Sequence, residues 1–422
     1  MNQRRLRSVL CIFTALTIFT LTPAAEQNPL FSKLHGFGLH TPGGDGGKII
    51  RVTNLNSKGP GSMREALQTK GPRIVVFEVG GVIDLQKKSI SISEPFLTIA
   101  GQTAPSPGIT LIRGGISIQS HDIVMQHIRV RPGDASEKKR SGWEPDGITT
   151  SAAYNVVIDH CSTTWAVDEN LSVSGPRTQG PEVTSHDVTI CNCIIAEGLN
   201  ESSHAKGRHS KGTLVHDFCT NIAIIGNLYA HNVERNPYFK AFTTGVVVNN
   251  LIYNPGRRAV KVTFPLSEWK DVPITPQNCK IAVVGNVMMH GEDSRKDMPL
   301  VSDKGDVYLK DNIASNRQGK SVSMTEGKIV ILPEPPVWPN DFTPLPAKDV
   351  IEHVLINVGA RPKDRDSIDQ RIIQDFIKRK GKIIDSQTEV GGYPDYPMTQ
   401  RKLNIPDNNI SAWLAKLAAE LE

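Results

Sequence analysis

The middle of the chain repeats. Seven segments share one pattern: a short β-branched run, a polar residue, then a second apolar run. They begin at Ile123, Val156, Val188, Ala223, Val246, Ala282 and Val307. Their shared polar residue is His127, His160, Asn192, Asn227, Asn250, Asn286 and Asn312, at spacings of 33, 32, 35, 23, 36 and 26 residues. Recurrence at roughly 20–50 residues marks solenoids, propellers and arrays. Period-2 alternation and β-branched bias make the units strands, not helices. Each unit is shorter than a four-stranded propeller blade of about 40 residues. One or two strands per coil, with a recurrent Asn at the bend, fit a parallel β-helix. Stacked Asn side chains there bond to one another and to the turn backbone. The uneven spacing means that extra residues leave the coil as loops, and loops gathered on one face form a binding surface.

The expected fold class is therefore all-β: a right-handed, single-stranded parallel β-helix, or solenoid, over residues 26–330. Residues 48–52, 73–77 and 96–100 add earlier strands. Ser62 and Glu65 stand in capping-box spacing before a short helix that would cover the open end of the first coil. Composition changes near residue 331. Six prolines fall within 332–346, which predicts an extended strap. Helices are predicted over 350–358, 366–378 and 411–421. Residues 331–422 are expected to wrap the solenoid as strap and helices, not to form a separate catalytic domain.

The chain of 422 residues carries a formal charge of +5, which by itself suggests a polyanionic partner. The N-terminus changes that reading. Arg4, Arg5 and Arg7 precede an uncharged apolar run of 13 residues, 9–21, followed by Thr22-Pro-Ala-Ala25. Residues 1–25 read as a secretory signal, too short in its apolar part to span a bilayer comfortably. Three of the five excess charges leave with it, so global charge says little about partners. A secreted or periplasmic protein is expected, with no membrane segment after cleavage. Six cysteines are present, and five remain without Cys11, namely Cys161, Cys191, Cys193, Cys219 and Cys279. Their odd number and low density argue against a disulfide scaffold. They read as small buried residues.

The phosphate-loop, dinucleotide, serine-elbow and HExxH patterns are absent or broken. Basic and aromatic residues do not interleave as in a nucleic-acid platform, so no nucleic acid is expected. What remains is a set of charged residues in loops flanking consecutive coils: Glu144 and Asp146, Asp168 and Glu169, Lys206 to Lys211, and His231 to Lys240. Equivalent positions in a solenoid stack ~4.8 Å apart, so these residues can form an acidic patch beside a basic one. Oxygen-only ligands suit Ca²⁺, and cations suit a carboxylated sugar polymer. Asp159 and His160 read as structural partners within the stack, and Lys206 and Arg208 as solvated charges.

These residues resemble the pectate lyases of polysaccharide lyase family 1. Asn155-Val-Val-Ile-Asp159-His160-Cys161-Ser162 is similar to the family's "vWIDH-C-S" strand, with Val157 where Trp is common. Glu144-Pro-Asp146-Gly resembles the acidic pair before it. His209-Ser-Lys211-Gly-Thr-Leu resembles the segment bearing a substrate-binding lysine. Arg235-Asn-Pro237-Tyr-Phe-Lys240 resembles the R-x-P-x-x-R motif, with Lys in the last place. The family often carries acids four residues apart where this chain has Asp168 and Ser172.

The resemblance implies calcium-assisted β-elimination on polygalacturonate, giving 4,5-unsaturated oligogalacturonides. It implies Arg235 as the catalytic residue, and Lys211, Lys240 and His209 as substrate-binding residues. It implies Asp146, Asp168, Glu144 and Glu169 as Ca²⁺ ligands. A base role for Arg235 requires neighbouring cations such as Lys211 and Lys240 to disfavour its charge. The alternatives are a calcium-independent pectin lyase and a non-catalytic β-helix that binds polysaccharide. A glycoside hydrolase is disfavoured because no clustered acid–base carboxylate signature is present. A monomer is expected.

Overall fold

The computed structural model describes residues 28–422, so the expected signal segment, with Cys11, lies outside the described residues. The strands climb as three parallel ladders. The first stacks Lys48–Val52, Arg73–Phe77, Leu97–Ala100, Ile123–Gln126, Tyr154–Asp159, His186–Cys191, Thr220–Ile225, Thr244–Val248 and Lys280–Val284. The second includes Ile148–Ser151, Glu169–Ser174, Lys211–Val215, Tyr238–Phe239 and Val260–Val262. The ten-residue strand Val301–Lys310 pairs with both ladders. The third ladder is built largely of three-residue strands such as Ser162–Thr164, Ile194–Ala196 and Leu228–Ala230. Each full coil thus holds three strands, not the one or two expected. A three-residue strand is too short for its alternation to be counted.

Matched rungs build the core. Val156 and Ile158 lie over Val188 and Ile190, which lie over Ile222 and Ile224, and all six side chains are fully buried. The opposite face of the first ladder is buried too. Val124, Val157 and Ile74 pack in a cluster with Leu414 of the last helix. Strands covered on both faces read as continuous apolar runs.

The bend column differs in register from the sequence alignment. The strand pairs Asp159↔Cys191, Cys191↔Ile225 and Ile225↔Val248 place His127, His160, Asn192, Gly226, Asn249, Gly285 and Asp311 at one level. All seven have positive φ, between 46° and 68°. Only glycine, Asn and Asp accept that region readily, which explains five of the seven residues. The side chains that stack inward come one residue later: Cys161, Cys193, Asn227, Asn250, Asn286 and Asn312. Asn192 and Asn227 therefore do not occupy equivalent places, and the spacing of 35 is 34 in true register. Asn227 donates to Asn250 Oδ1 (2.9 Å), Asn250 to Asn286 Oδ1 (3.0 Å) and Asn286 to Asn312 Oδ1 (3.0 Å). Cys193 N–H donates to Asn227 Oδ1 at 2.8 Å, and Cys161 N–H to Cys193 Sγ at 3.4 Å. The column thus continues downward as buried thiols. All five described cysteines are free and buried.

Asn250 is fully buried and makes five side-chain bonds of 2.9–3.1 Å along this column. Asn250→Ala leaves several buried groups without partners, each costing about 1–3 kcal/mol. We expect at least about 3 kcal/mol of destabilisation, read as a lower urea midpoint with an unchanged slope. A loss under about 1 kcal/mol would show that the column is not what fixes the bend.

Helix α1, Met63–Gln68, closes the first coil. Ser62 Oγ accepts from Glu65 N–H (3.3 Å), while Glu65 Oε2 accepts from Gly61 N–H (2.8 Å). Met63, Ala66 and Leu67 enter the core. Beyond Thr325–Ile331 come the strap and helices α2, Val350–Asn357, α3, Ser367–Ile377, and α4, Ile410–Leu421. Each lies within a residue or two of its expected limits. The α3 N-cap Asp366 and its neighbour Asp369 reach into the solenoid. Arg131 bonds Asp366 (2.5 Å) and Asp369 (2.8 Å), Arg129 Nε lies 3.2 Å from Asp369, and Ser162 Oγ donates to Asp369 (2.7 Å). No helix among the described residues is long and apolar enough to cross a membrane.

Candidate active site

The charged loops leave the third ladder and enter the second, so their residues share one side of the solenoid. Register builds a column there. Glu169 pairs with Lys211 across one rung, and Lys211 with Glu234 across the next. Asp146 stands two residues before the Ile148↔Leu171 pair and accepts from Glu169 N–H at 3.0 Å. Arg257 bonds Glu234 from the far side at 2.7 Å. Signs alternate up most of this column, with opposed charges about one strand spacing apart.

The lower end is acidic. Asp146, Asp168 and Glu169 each offer a carboxylate oxygen within 4.8 Å of the others. Asp146 is braced by the Ser172 hydroxyl, which donates to its Oδ2 at 3.1 Å. Ser172 thus supports a ligand-like carboxylate where the family pattern has an acid. Burial, and then the Asp168 charge, raise the Asp146 carboxyl above the ordinary range. Burial also pushes Asp168 upward. The His209 hydrogen bond and charge, followed by Arg235 and His204, more than offset it, and the net shift is downward. Glu144 stands apart from the three. It accepts from Ala205 N–H (3.2 Å) and lies 3.2 Å from His204 Nδ1.

Arg235 ion-pairs with Glu169, with its guanidinium over the Tyr238 ring at 5.8 Å. Its backbone is left-handed (φ 68°), which turns the side chain out of the strand line and toward the acids. Burial lowers its pKa, opposed by Asp168, Tyr238 and Asp146. Desolvation is therefore the main lever on this guanidinium, in place of the neighbouring cations expected from sequence. Those cations are committed elsewhere. Lys211 Nζ holds Glu234 at 2.5 Å, and buried Lys240 holds Asp217 at 3.0 Å and also Glu268. His209 Nε2 is bound to Asp168 at 2.6 Å, and its ring stacks on His204 at 3.8 Å. Arg208 is exposed and pairs with Glu201, as a solvated charge should.

Sequence reasoning missed Glu234, His204 and Lys261. Lys261 sits one rung above Tyr238, with Nζ 4.3 Å from the ring centroid. Burial first, and then Arg258 and Arg235 against Glu234 and Asp303, lower its pKa to about 8. No motif marks it, because its place depends on the Tyr238↔Lys261 register. Asp159 and His160 lie at the end of the first ladder, a different side of the coil. Asp159 ties Gln126 (2.9 Å) and Asn192 (3.0 Å) together there.

No protein-family model matches the sequence. A protein named pectate lyase C in Emericella nidulans is 35% identical over 246 residues, 58% of this chain and 52% of that protein, so the chain spans about half of that relative's length. One of the same name in Aspergillus terreus is 30% identical over 380 residues, covering 86% of this chain and 81% of the relative. A solved pectate lyase bound to a hexasaccharide has the same fold at TM-score 0.55 and 14% identity, over 80% of this chain and 99% of that one. With 30% identity maintained across most of both sequences and a shared parallel β-helix, the chain belongs to the pectate lyase family.

Proposed function

We propose that this protein cleaves polygalacturonate by calcium-assisted β-elimination, with Arg235 as the base. The observation that carries the reading is the meeting of Arg235 with the Asp146, Asp168 and Glu169 carboxylates at one end of the column. The C5 proton of a galacturonate is acidified by its C6 carboxylate. Arg235, once neutral, takes that proton. The C5–H electrons become the C4=C5 double bond, and the C4–O pair leaves with the glycosidic oxygen, which is reprotonated from water. Burial disfavours the guanidinium charge, so the rate rises with pH into the alkaline range. Lys211 and Lys261, backed by Glu234, bind the carboxylates of neighbouring sugars. Lys240 positions the loop through Asp217 and Glu268. His209 holds Asp168 in place, and Glu144 supports His204.

Three oxygen donors within 4.8 Å fit a hard divalent cation, with Asp146, Asp168 and Glu169 as its protein ligands. Calcium held by these residues would supply a positive charge to neutralise the substrate carboxylate and stabilise the carbanion-like charge beside it. The hexasaccharide bound by the structural relative supports an oligosaccharide or polysaccharide substrate. The leader read at residues 1–25 supports action outside the cytoplasm. The site belongs to the solenoid, 26–330, with 331–422 as its wrap.

Polygalacturonate should yield ultraviolet-absorbing unsaturated products that disappear in EGTA and return with Ca²⁺. Asp146→Asn should raise the Ca²⁺ needed for half-maximal rate by about tenfold or more, since ligand charge sets affinity. Undiminished cleavage in EGTA would point to a calcium-independent lyase. Binding without unsaturated product would leave only a polysaccharide-binding β-helix.

A further inference from the structure

At the other side of the coil, two histidines of the bend column face the end of the C-terminal helix. His127 Nδ1 donates to Ala360 O at 2.8 Å, which leaves its Nε2 as a lone pair. That nitrogen is fully buried, has no hydrogen-bond partner among the described residues, and lies 3.8 Å from Glu422 Oε1. The same oxygen is 3.6 Å from His160 Nδ1. The two rings stack at 5.3 Å with 8° between their planes. Asp159 Oδ1 lies 2.8 Å from that same His160 Nδ1, so a metal bound there would displace the proton the two share, and Asp159 is itself held by Asn192.

An imidazole lone pair aimed at a carboxylate is repulsive unless something positive lies between them. We propose that His127, His160 and Glu422 form a binding site for a divalent transition metal of the Zn²⁺ class, separate from the lyase site. The three ligand atoms lie within 4.8 Å of one another. Tetrahedral bonds of ~2.0–2.1 Å set ligand atoms roughly 3.3 Å apart, so Glu422 Oε1 must close by a few tenths of an ångström on each nitrogen and the two stacked rings must draw together. Two nitrogens and a carboxylate suit Zn²⁺ in place of calcium. The Ala360 carbonyl fixes the His127 tautomer, as partners behind metal-bound histidines do. Asp159 supplies a second negative charge against the nearby cations Arg361, Lys363 and Lys33. The Glu422 side chain keeps one-fifth of its surface exposed, which gives the ion a way in. A metal here would pin the end of α4 to two coils.

The test is titration of the EDTA-dialysed full chain with Co²⁺. One equivalent should bind with the visible bands of a tetrahedral site, and Zn²⁺ should displace it. Glu422→Gln should lose that equivalent or weaken it at least tenfold, with polygalacturonate cleavage and metal-free melting unchanged. His204→Gln should keep it, because the Asp168–His204–His209 group is the competing cluster. Bands that survive Glu422→Gln, or vanish with His204→Gln, overturn the proposal. On the unmodified chain, the Co²⁺ form should show a paramagnetically shifted His127 Nδ1–H resonance, and a saturated sample without one overturns it as well.

Discussion

Arg235→Ala should lower kcat on polygalacturonate by about 10²–10⁴-fold, the range that a positioned base contributes. KM should change far less. The reason lies in how the guanidinium is held. The side chain is largely buried, which disfavours its charge, while Glu169 and the Tyr238 ring hold it in place against the acids. Arg235→Lys keeps a cation but loses the planar fork, and should recover little of the rate. The wild-type rate should climb with pH, and the Arg235→Lys profile should shift to lower pH, because an ammonium is deprotonated more readily than a guanidinium. If Arg235→Ala instead raises KM and spares kcat, the residue is a carboxylate clamp and another group takes the proton. Lys261, with its pKa lowered to about 8, would then be the first to examine.

Asp369→Asn should cost about 3–5 kcal/mol of stability, the loss typical when one partner of a buried ion pair is removed. Arg129, Arg131, Asp366 and Asp369 are all fully or nearly fully buried, and two charges of each sign balance. The amide preserves shape and can still meet Ser162, so the effect isolates the uncompensated positive charge. The double variant Arg129→Met/Asp369→Leu removes one charge of each sign and should recover much of the loss, since apolar replacement of a whole buried pair is often neutral. Urea unfolding of the three proteins decides it. A single variant within about 1 kcal/mol of wild type would mean that water reaches the cluster.

The repeat was legible because β-branched runs and bend residues recur in sequence. Its register was not fully legible, because Asn serves two adjacent places in the coil. Asn192 and Asn249 take the left-handed turn, whereas Asn227 and Asn250 stack inward. The third ladder escaped because its strands are mostly three residues long. The acids and Arg235 were visible through their motifs, and the structure gathers Asp146, Asp168, Glu169 and Arg235. What the sequence could not show is where each charge is spent. Lys211 and Lys240 looked like a free basic patch, but Glu234 and Asp217, whose neighbourhood is set by coil register, already hold them. The helices at 350–358, 366–378 and 411–421 were readable from their apolar spacing, and only Asp366 adds a side-chain cap to one of them.

A stack of coils in which each rung touches only its neighbours should unravel rung by rung from either end. The C-terminal wrap works against this. Leu345 is bonded to Asn249 in a late coil, Ala360 to His127, Arg361 to Ala104, and Thr399 pairs with Gly80 near the start. One covalent segment thus runs back along the solenoid axis and shares its fate with coils far apart in sequence. It acts as a tie-rod: loosening at one end loads the other, and local fraying becomes a single cooperative transition.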